Sequence, residues 1–468
     1  MRIGIGVPSK TSQGSGGGHV ITSLRMEPWL TSRPDGRQSE RVATRWSWDE
    51  SSTVLTLTLR SDVYFHDGTK LTPELAADIL RDSVKEREAL SFSGILSVAA
   101  RPPDSVQIRL REPNAFLLPD LSLVNVKLPG DQQVGAGPFT VVRTAGQQTV
   151  MAAFPKYYRG RPSVDEIEIV QYPTQRNAWS ALMRGDVDML HEVSRDAVEF
   201  VEAETTVNTY SFPRPYYIPL GFNVRHPILR DPEVRIAINE ALDKETLVQV
   251  GLNRRGRPAE GPIWPEHWAH STPSRPFVYN AGSANARLDR LGLKVRQKAD
   301  GSMPSRFTIS CLVWDDPRFE RLAVLVQRQL ADVGIELRLI PVNQVDIVRR
   351  LAAGEFDTFL FEMFGRSLSY LDVFWRTHTG PGPLNSGYEG ANAVLDRMRT
   401  ARSDDEVRAA AAEFEQILHD DPPAAFIAWQ ETSRAVSTRF DIAAEKDRDI
   451  LTNVWQWRPA TPGVQVPR

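Results

Sequence analysis

The chain has a single cysteine, Cys311, in 468 residues. No internal disulfide can form, and no cysteine-cluster zinc site can be built. It has no surplus of one charge either: 56 Lys and Arg stand against 59 Asp and Glu, a net of −3. Without a strong whole-molecule field, neither nucleic acid nor an acidic membrane surface is an expected partner. No apolar run approaches the roughly 20 residues that span a bilayer. No glycine is followed directly by lysine, so the glycine-rich stretch Thr11 to Gly18 is not a phosphate-gripping loop and reads as a connection. His191-Glu192 is not continued into a zinc-protease motif, and the serine-nucleophile signatures are missing. The start, MRIGIGVPSK, has no apolar signal core, which leaves cytoplasmic residence or a removed export signal open.

What is present is an ordinary soluble balance, 41% hydrophobic and 25% charged, in a chain long enough for two to four domains. Strands and helices alternate along it. TVLTLTLR (53–60) alternates threonine with aliphatics, a half-buried strand. The Asp67-Gly68 turn follows, then Thr72 as N-cap and Pro73 at the first helical position. His66, beside that turn, has no second ligand at metal spacing and reads as a hydrogen-bonded turn residue. Helix 177–185 closes on Gly185, and the amphipathic helix 317–334 closes on Gly334. Residues 251–306 show little periodicity and read as a long covering segment. Cys311 sits in the apolar strand FTISCLVW, which argues for a buried, inert thiol. His267 and His270 are three apart but lack further ligands, so a structural or solvent-facing role is expected of them. Asp186/Asp188 and Asp315/Asp316 stand at turns and strand ends, where capping explains them. This alternation is the pattern of an α/β fold.

The stretch 216–242 organises the rest. Tyr216 to Asn223 reads as a buried strand that stops before Pro227. Asp231 is a plausible N-cap, Pro232 the first helical residue, and Val234, Ala237, Ile238, Ala241 and Leu242 form one apolar helix face. By pattern alone this is either an ordinary strand–helix unit or a crossover between two lobes. Aromatic residues also stand at predicted strand ends: Trp29, Tyr217, Trp314, Tyr370 and Trp429. Such residues line clefts or fill cores.

A series of motifs then adds a resemblance. LTLTLRSDVYFHDGTKLTPELAADIL, GAGPFTVVR, FPKYYRGRPSVDEIEIVQYP, ALMRGDVDML, LGFNVRHPILRDPEVRIAINEALDKETL, YNAGSANARLDRLGL, LADVGIELRLIPV, LAAGEFDTFLFEM and VWQW occur in that order. Together they span nearly all of residues 2–457, and the chain resembles the family-5 extracytoplasmic solute-binding proteins of ABC transporters, which include dipeptide-, oligopeptide- and nickel-binding members. The resemblance implies an α/β, periplasmic-binding-protein-like fold with two hinged lobes and an extra subdomain in the first. Lobe one would be 1–222 plus 430–468, with 26–130 mostly the extra subdomain, and lobe two 224–428. It implies a receptor that traps a small solute by hinge closure and delivers it to a membrane permease. The protein would be a monomer, periplasmic or lipid-anchored, with its signal segment trimmed. It would use no cofactor, no structural metal, no catalytic residue and no nucleic acid.

In the family's peptide binders an acidic side chain on the strand after the LAAGEFDTF helix holds the peptide's amino terminus. Ungapped, this chain places Glu362-Met363 at the family's Gly-Trp and Arg366 at the acid. That predicts a solute that is neutral and hydroxyl-rich, or anionic, with Arg366 as donor and Trp314, Tyr370 and Tyr217 as walls. A slip of one or two positions would make Glu362 the acid instead. Asn223, Met26 and Trp429 complete the expected ligand-contacting set. Peptide, oligosaccharide and other polar solutes stay open, and a nickel chelate is compatible because it needs few protein ligands. The rival readings are a cytoplasmic ligand sensor, which lacks a helix-turn-helix ahead of residue 2, and a hydrolase, which lacks a nucleophile or an acid/base pair.

Overall fold

The computed structural model describes residues 1–6, 15–86, 91–194, 197–272, 276–297, 304–377 and 382–460. The chain divides into two compact units, Met1–Pro213 with Thr432–Arg468, and Arg214–Glu431.

In the first unit, strand Arg2–Gly6 pairs in parallel with Glu166–Tyr172 and with Met189–Leu190. Gln148–Ala153 and Phe139–Ala145 extend that sheet antiparallel. Ile3, Ile5, Met151, Ile167 and Ile169 fill one core against Val436, Val454 and Trp457. A second sheet is wholly antiparallel, in the order Ala43–Trp48, Val54–Leu59, Ser105–Leu110, Ile95–Arg101. Its strand Val54–Leu59 buries Leu55, Leu57 and Leu59 and leaves Thr56 and Thr58 half-covered, as a period of two requires. Helix Pro73–Glu86 covers this sheet, entered through Thr72, whose hydroxyl accepts from Leu75 N at 3.3 Å. Trp29, Phe65 and Phe92 belong to this second core, distinct from the first.

In the second unit, Phe307–Trp314 runs parallel to Ile335–Val342 over eight residue pairs and to Thr358–Leu360. Helix Pro317–Asp332 connects the first two, and Gln344–Ala353 leads into the third. Asp316 caps the first helix and Asn343 the second. Gly354 ends the second helix at φ 72°, a left-handed position that favours glycine. Antiparallel to Thr358–Leu360 lies Leu220–Phe222, the end of the long strand Val207–Phe222. Further back on that strand, Tyr216 and Tyr217 pair with Phe364 and Met363. Helix Pro232–Glu240 is capped by Asp231, which accepts from Glu233 N at 2.9 Å, with Pro232 as its first residue.

Three expectations change. The glycine-rich stretch was expected to be a loop to Gly18, yet Ser15–Arg25 is helical; residues 11–14 lie outside the described residues. Little room is left for larger residues there: a Cβ at Gly16 would stand 2.8 Å from Ile5, and one at Gly17 would displace the end of the Gln171 side chain. Close packing on the sheet overrides poor helix propensity. The covering segment 251–306 contains the helix Ala281–Arg290, capped by Asn280. Strand Val207–Phe222 begins nine residues earlier than the predicted start at Tyr216 and passes through Pro213 and Pro215.

Candidate functional site

The second unit gathers a polar cluster around one carboxylate. Glu362 lies between strands Thr358–Leu360 and Met363–Phe364 and is 12% exposed in its side chain. Its Oε2 accepts three hydrogen bonds: from Arg214 Nη1 at 3.2 Å, Arg318 Nη1 at 3.4 Å and Gln430 Nε2 at 3.1 Å. Gln430, nearly fully buried, also accepts from Arg214 Nη1 at 3.0 Å. Each guanidinium is held a second way. Arg318 grips Asp316 through Nε and Nη2 at 2.9 and 3.0 Å and lies 5.0 Å from the centre of the Trp314 ring. Arg214 lies 4.9 Å from the centre of the Tyr216 ring. Two cations therefore face two anions, and the cluster carries no net charge.

Local structure explains the placement. Arg214 and Tyr216 are two apart on one strand and share its face. Asp316 is the N-cap of helix Pro317–Asp332, so Arg318 starts in the first turn beside it. The glutamate stands two residues beyond Thr358–Leu360, the short strand that completes the parallel sheet. Phe361, next to it, meets Trp314 edge-on at 5.3 Å.

The sequence-derived residues fall into several environments. Glu362 and Trp314 belong to the cluster. Tyr370, half-buried, packs its ring 4.5 Å from Phe364, which in turn meets Tyr216 at 5.4 Å. Arg366 is exposed just beyond Phe364. Met363 is buried on the paired strand. Tyr217 and Trp429 lie in the interior, each 1% exposed, with ring centres 5.0 Å apart. The Tyr217 hydroxyl accepts from Trp375 Nε1 at 3.0 Å, and burial pushes its phenol pKa well up. Gly365 permits this: a Cβ there would lie 2.5 Å from Trp429 and 2.9 Å from Tyr217. Asn223 spends its amide on the backbone, donating to Gly354 O at 3.2 Å and Phe356 O at 2.8 Å. Met26 is buried in the first unit. Arg214, Tyr216, Arg318 and Gln430 were absent from the sequence-derived set. The only sequence signal for the first two is their alternation in RPYY.

Outside this cluster, His66 Nε2 meets Gly137 O at 3.0 Å, and His270 Nδ1 meets Glu415 at 2.6 Å. Burial pushes the Cys311 thiol up to about 12. Among the described residues no group of three or more His, Cys, Asp or Glu side chains could hold a metal ion, and no helix is long and apolar enough to cross a membrane.

Residues 38–382 match the family described as bacterial extracellular solute-binding proteins, family 5 middle. The oligopeptide-binding protein AppA of Bacillus subtilis is 25% identical over 440 residues, covering 85% of this chain and 79% of its own. Among solved structures, NikA of Brucella suis in complex with Fe(III)-EDTA superposes with a TM-score of 0.84 at 18% identity, over 98% of this chain and 100% of that one. AgaA of A. tumefaciens R10, in complex with agropinic acid, superposes with a TM-score of 0.77 at 21% identity, with 98% of each chain covered.

Proposed function

The chain belongs to the bacterial extracellular solute-binding proteins of family 5, and from that premise we propose that its solute is neutral and hydroxyl-rich or anionic, held without a free-amine anchor. The protein is a solute-binding component of an ABC importer and not an enzyme. The solute class is the finer question. AppA is named for oligopeptides, whereas AgaA was solved with agropinic acid, so membership of the fold does not choose between such ligands.

One observation carries the reading: Glu362 Oε2 already takes donors from Arg214, Arg318 and Gln430. Unit charges 4 Å apart interact by about 4 kcal/mol at an effective dielectric of about 20. An ammonium brought to Glu362 meets attraction from Glu362 and Asp316 and two guanidinium repulsions of the same order, so it gains little net charge pairing there. A neutral group stands outside this balance, and an anion gains only at a guanidinium edge that Glu362 leaves unused. Trp314 and Tyr370 are proposed as apolar walls and Arg366 as a rim donor. Localisation outside the cytoplasm follows the family, and delivery to a membrane permease belongs to this proposal.

Calorimetry tests it with the dipeptide Ala-Ala, its N-acetyl derivative and an oligosaccharide. N-acetylation is expected to leave any dipeptide affinity unchanged within a few-fold. Tight binding of Ala-Ala that is lost on acetylation and in Glu362→Gln would overturn the reading. Solute-linked movement of the two units, the hinge closure expected of the family, is read by small-angle scattering as a fall in radius of gyration.

A further inference from the structure

Deepening that reading and resting on it, we propose that Arg214 receives a carboxylate of the solute, with the Tyr216 hydroxyl beside it and Glu362 and Gln430 acting as positioning residues. Arg214 uses Nη1 alone, toward Glu362 and Gln430. Its Nε and Nη2 have no hydrogen-bond partner among the described residues. Arg318 differs, since Nε and Nη2 are committed to Asp316 and Nη1 to Glu362. So of two guanidiniums on one glutamate, one is fully engaged and the other keeps one edge uncommitted.

That geometry suits an anion. A guanidinium offers parallel N–H donors in a rigid fork that matches a planar carboxylate. Nε and Nη2 form one such edge. Arg214 is held in place by two acceptors on Nη1 and by the Tyr216 ring at 4.9 Å, and its side chain is 22% exposed. The fork is therefore oriented before the solute arrives, which lowers the cost of ordering it. Tyr216 is half-buried, and its hydroxyl has no partner among the described residues. Burial, with Glu362 nearby, holds its phenol pKa above the usual value, so the O–H stays protonated and able to donate. Glu362 Oε1 also lacks a partner among the described residues and can accept from a solute hydroxyl. Donor fork, phenol donor and carboxylate acceptor together describe a hydroxylated carboxylic acid.

The experiment uses a matched pair, lactobionate and its neutral counterpart lactitol, titrated by calorimetry into the full chain. Lactobionate is expected to bind at least about tenfold more tightly, the scale of one charge-assisted pair. Arg214→Gln is expected to abolish the ratio. Arg214→Lys is expected to retain part of it, because a point charge replaces the fork. Tyr216→Phe, which removes an unpartnered oxygen, is expected to weaken lactobionate several-fold and leave lactitol unchanged, and it guards against a folding defect in the arginine variants. Glu362→Gln tests positioning: it is expected to shrink the Gln-versus-Lys contrast at position 214 in the double variants, an effect that a purely structural role would not produce. Equal affinities for the pair, a ratio that persists in Arg214→Gln, or no lactobionate binding at all would overturn the assignment of Arg214. None of these outcomes would restore an amine anchor, which only the acetylation experiment addresses.

Discussion

Two sheltered carboxylates, one in each unit, have been treated in opposite ways. Glu27 in the first unit is 4% exposed, and both its oxygens are taken: Oε1 by the Tyr157 hydroxyl at 2.7 Å and Oε2 by the Tyr158 hydroxyl at 2.9 Å, with Arg41 Nη1 3.9 Å away. Burial and the carboxylate push both phenol pKa values up, so both remain donors. Glu362 in the second unit concentrates three donors on one oxygen and leaves the other open. The contrast separates structure from function. A carboxylate closed on both sides by the protein's own donors holds elements together. On the proposal made above, a carboxylate that aligns an arginine while keeping acceptor capacity is arranged for a solute that comes and goes.

The largest effect should come from breaking the closed side. Glu27→Ala leaves the buried Tyr157 and half-buried Tyr158 hydroxyls without their acceptor and the nearly buried Arg41 without its counter-charge, a loss of about 3–5 kcal/mol by the behaviour of broken buried pairs. Urea unfolding followed by circular dichroism measures it. Cys311, the chain's single thiol, lies in the second unit and reports on that unit alone. Its labelling midpoint should shift less than the dichroism transition.

The thiol also makes a pH prediction. Its folded pKa, about 12, lies above that of an exposed cysteine. Between the two values the folded state holds the proton and the unfolded state does not, so stability falls as pH rises by up to about 1.4 kcal/mol per pH unit from this group. Below the unfolded value the contribution is flat. Comparing unfolding at pH 8 and pH 10 in wild type and Cys311→Ala isolates it.

On the open side the expected cost is smaller. Glu362→Gln keeps an acceptor oxygen for the arginines and should lower stability by about 1 kcal/mol, read by the same unfolding curves. The surface pair Arg349–Glu355, 58% and 56% exposed, supplies the zero point: Arg349→Ala should change stability by at most about 0.5 kcal/mol.

How much of this was legible in the sequence depended on range. Asp231-Pro232 and Thr72-Pro73 were readable as helix entries because a cap and its donor are two or three residues apart. Gly185 and Gly334, at φ 75° and 77°, were readable because a left-handed helix end favours glycine. Helix Ser15–Arg25 was not, because its support is the packing of Val20 and Leu24 into the core with Ile3 and Ile5 rather than propensity. The cluster was hidden for the same reason on a larger scale. Arg214 and Glu362 are 148 positions apart and Gln430 and Glu362 are 68 apart, so no local pattern joins them. Tyr217 and Trp429 were read as cleft walls or core, and Gly365 lets their rings close together in the interior.

The most direct test is native mass spectrometry of the protein purified without denaturation, wild type beside Arg214→Gln. The account predicts a small bound acid or polyhydroxylated solute on the wild type, depleted in the variant. A co-purified peptide with a free amine, retained by Arg214→Gln and lost from Glu362→Gln, would contradict it.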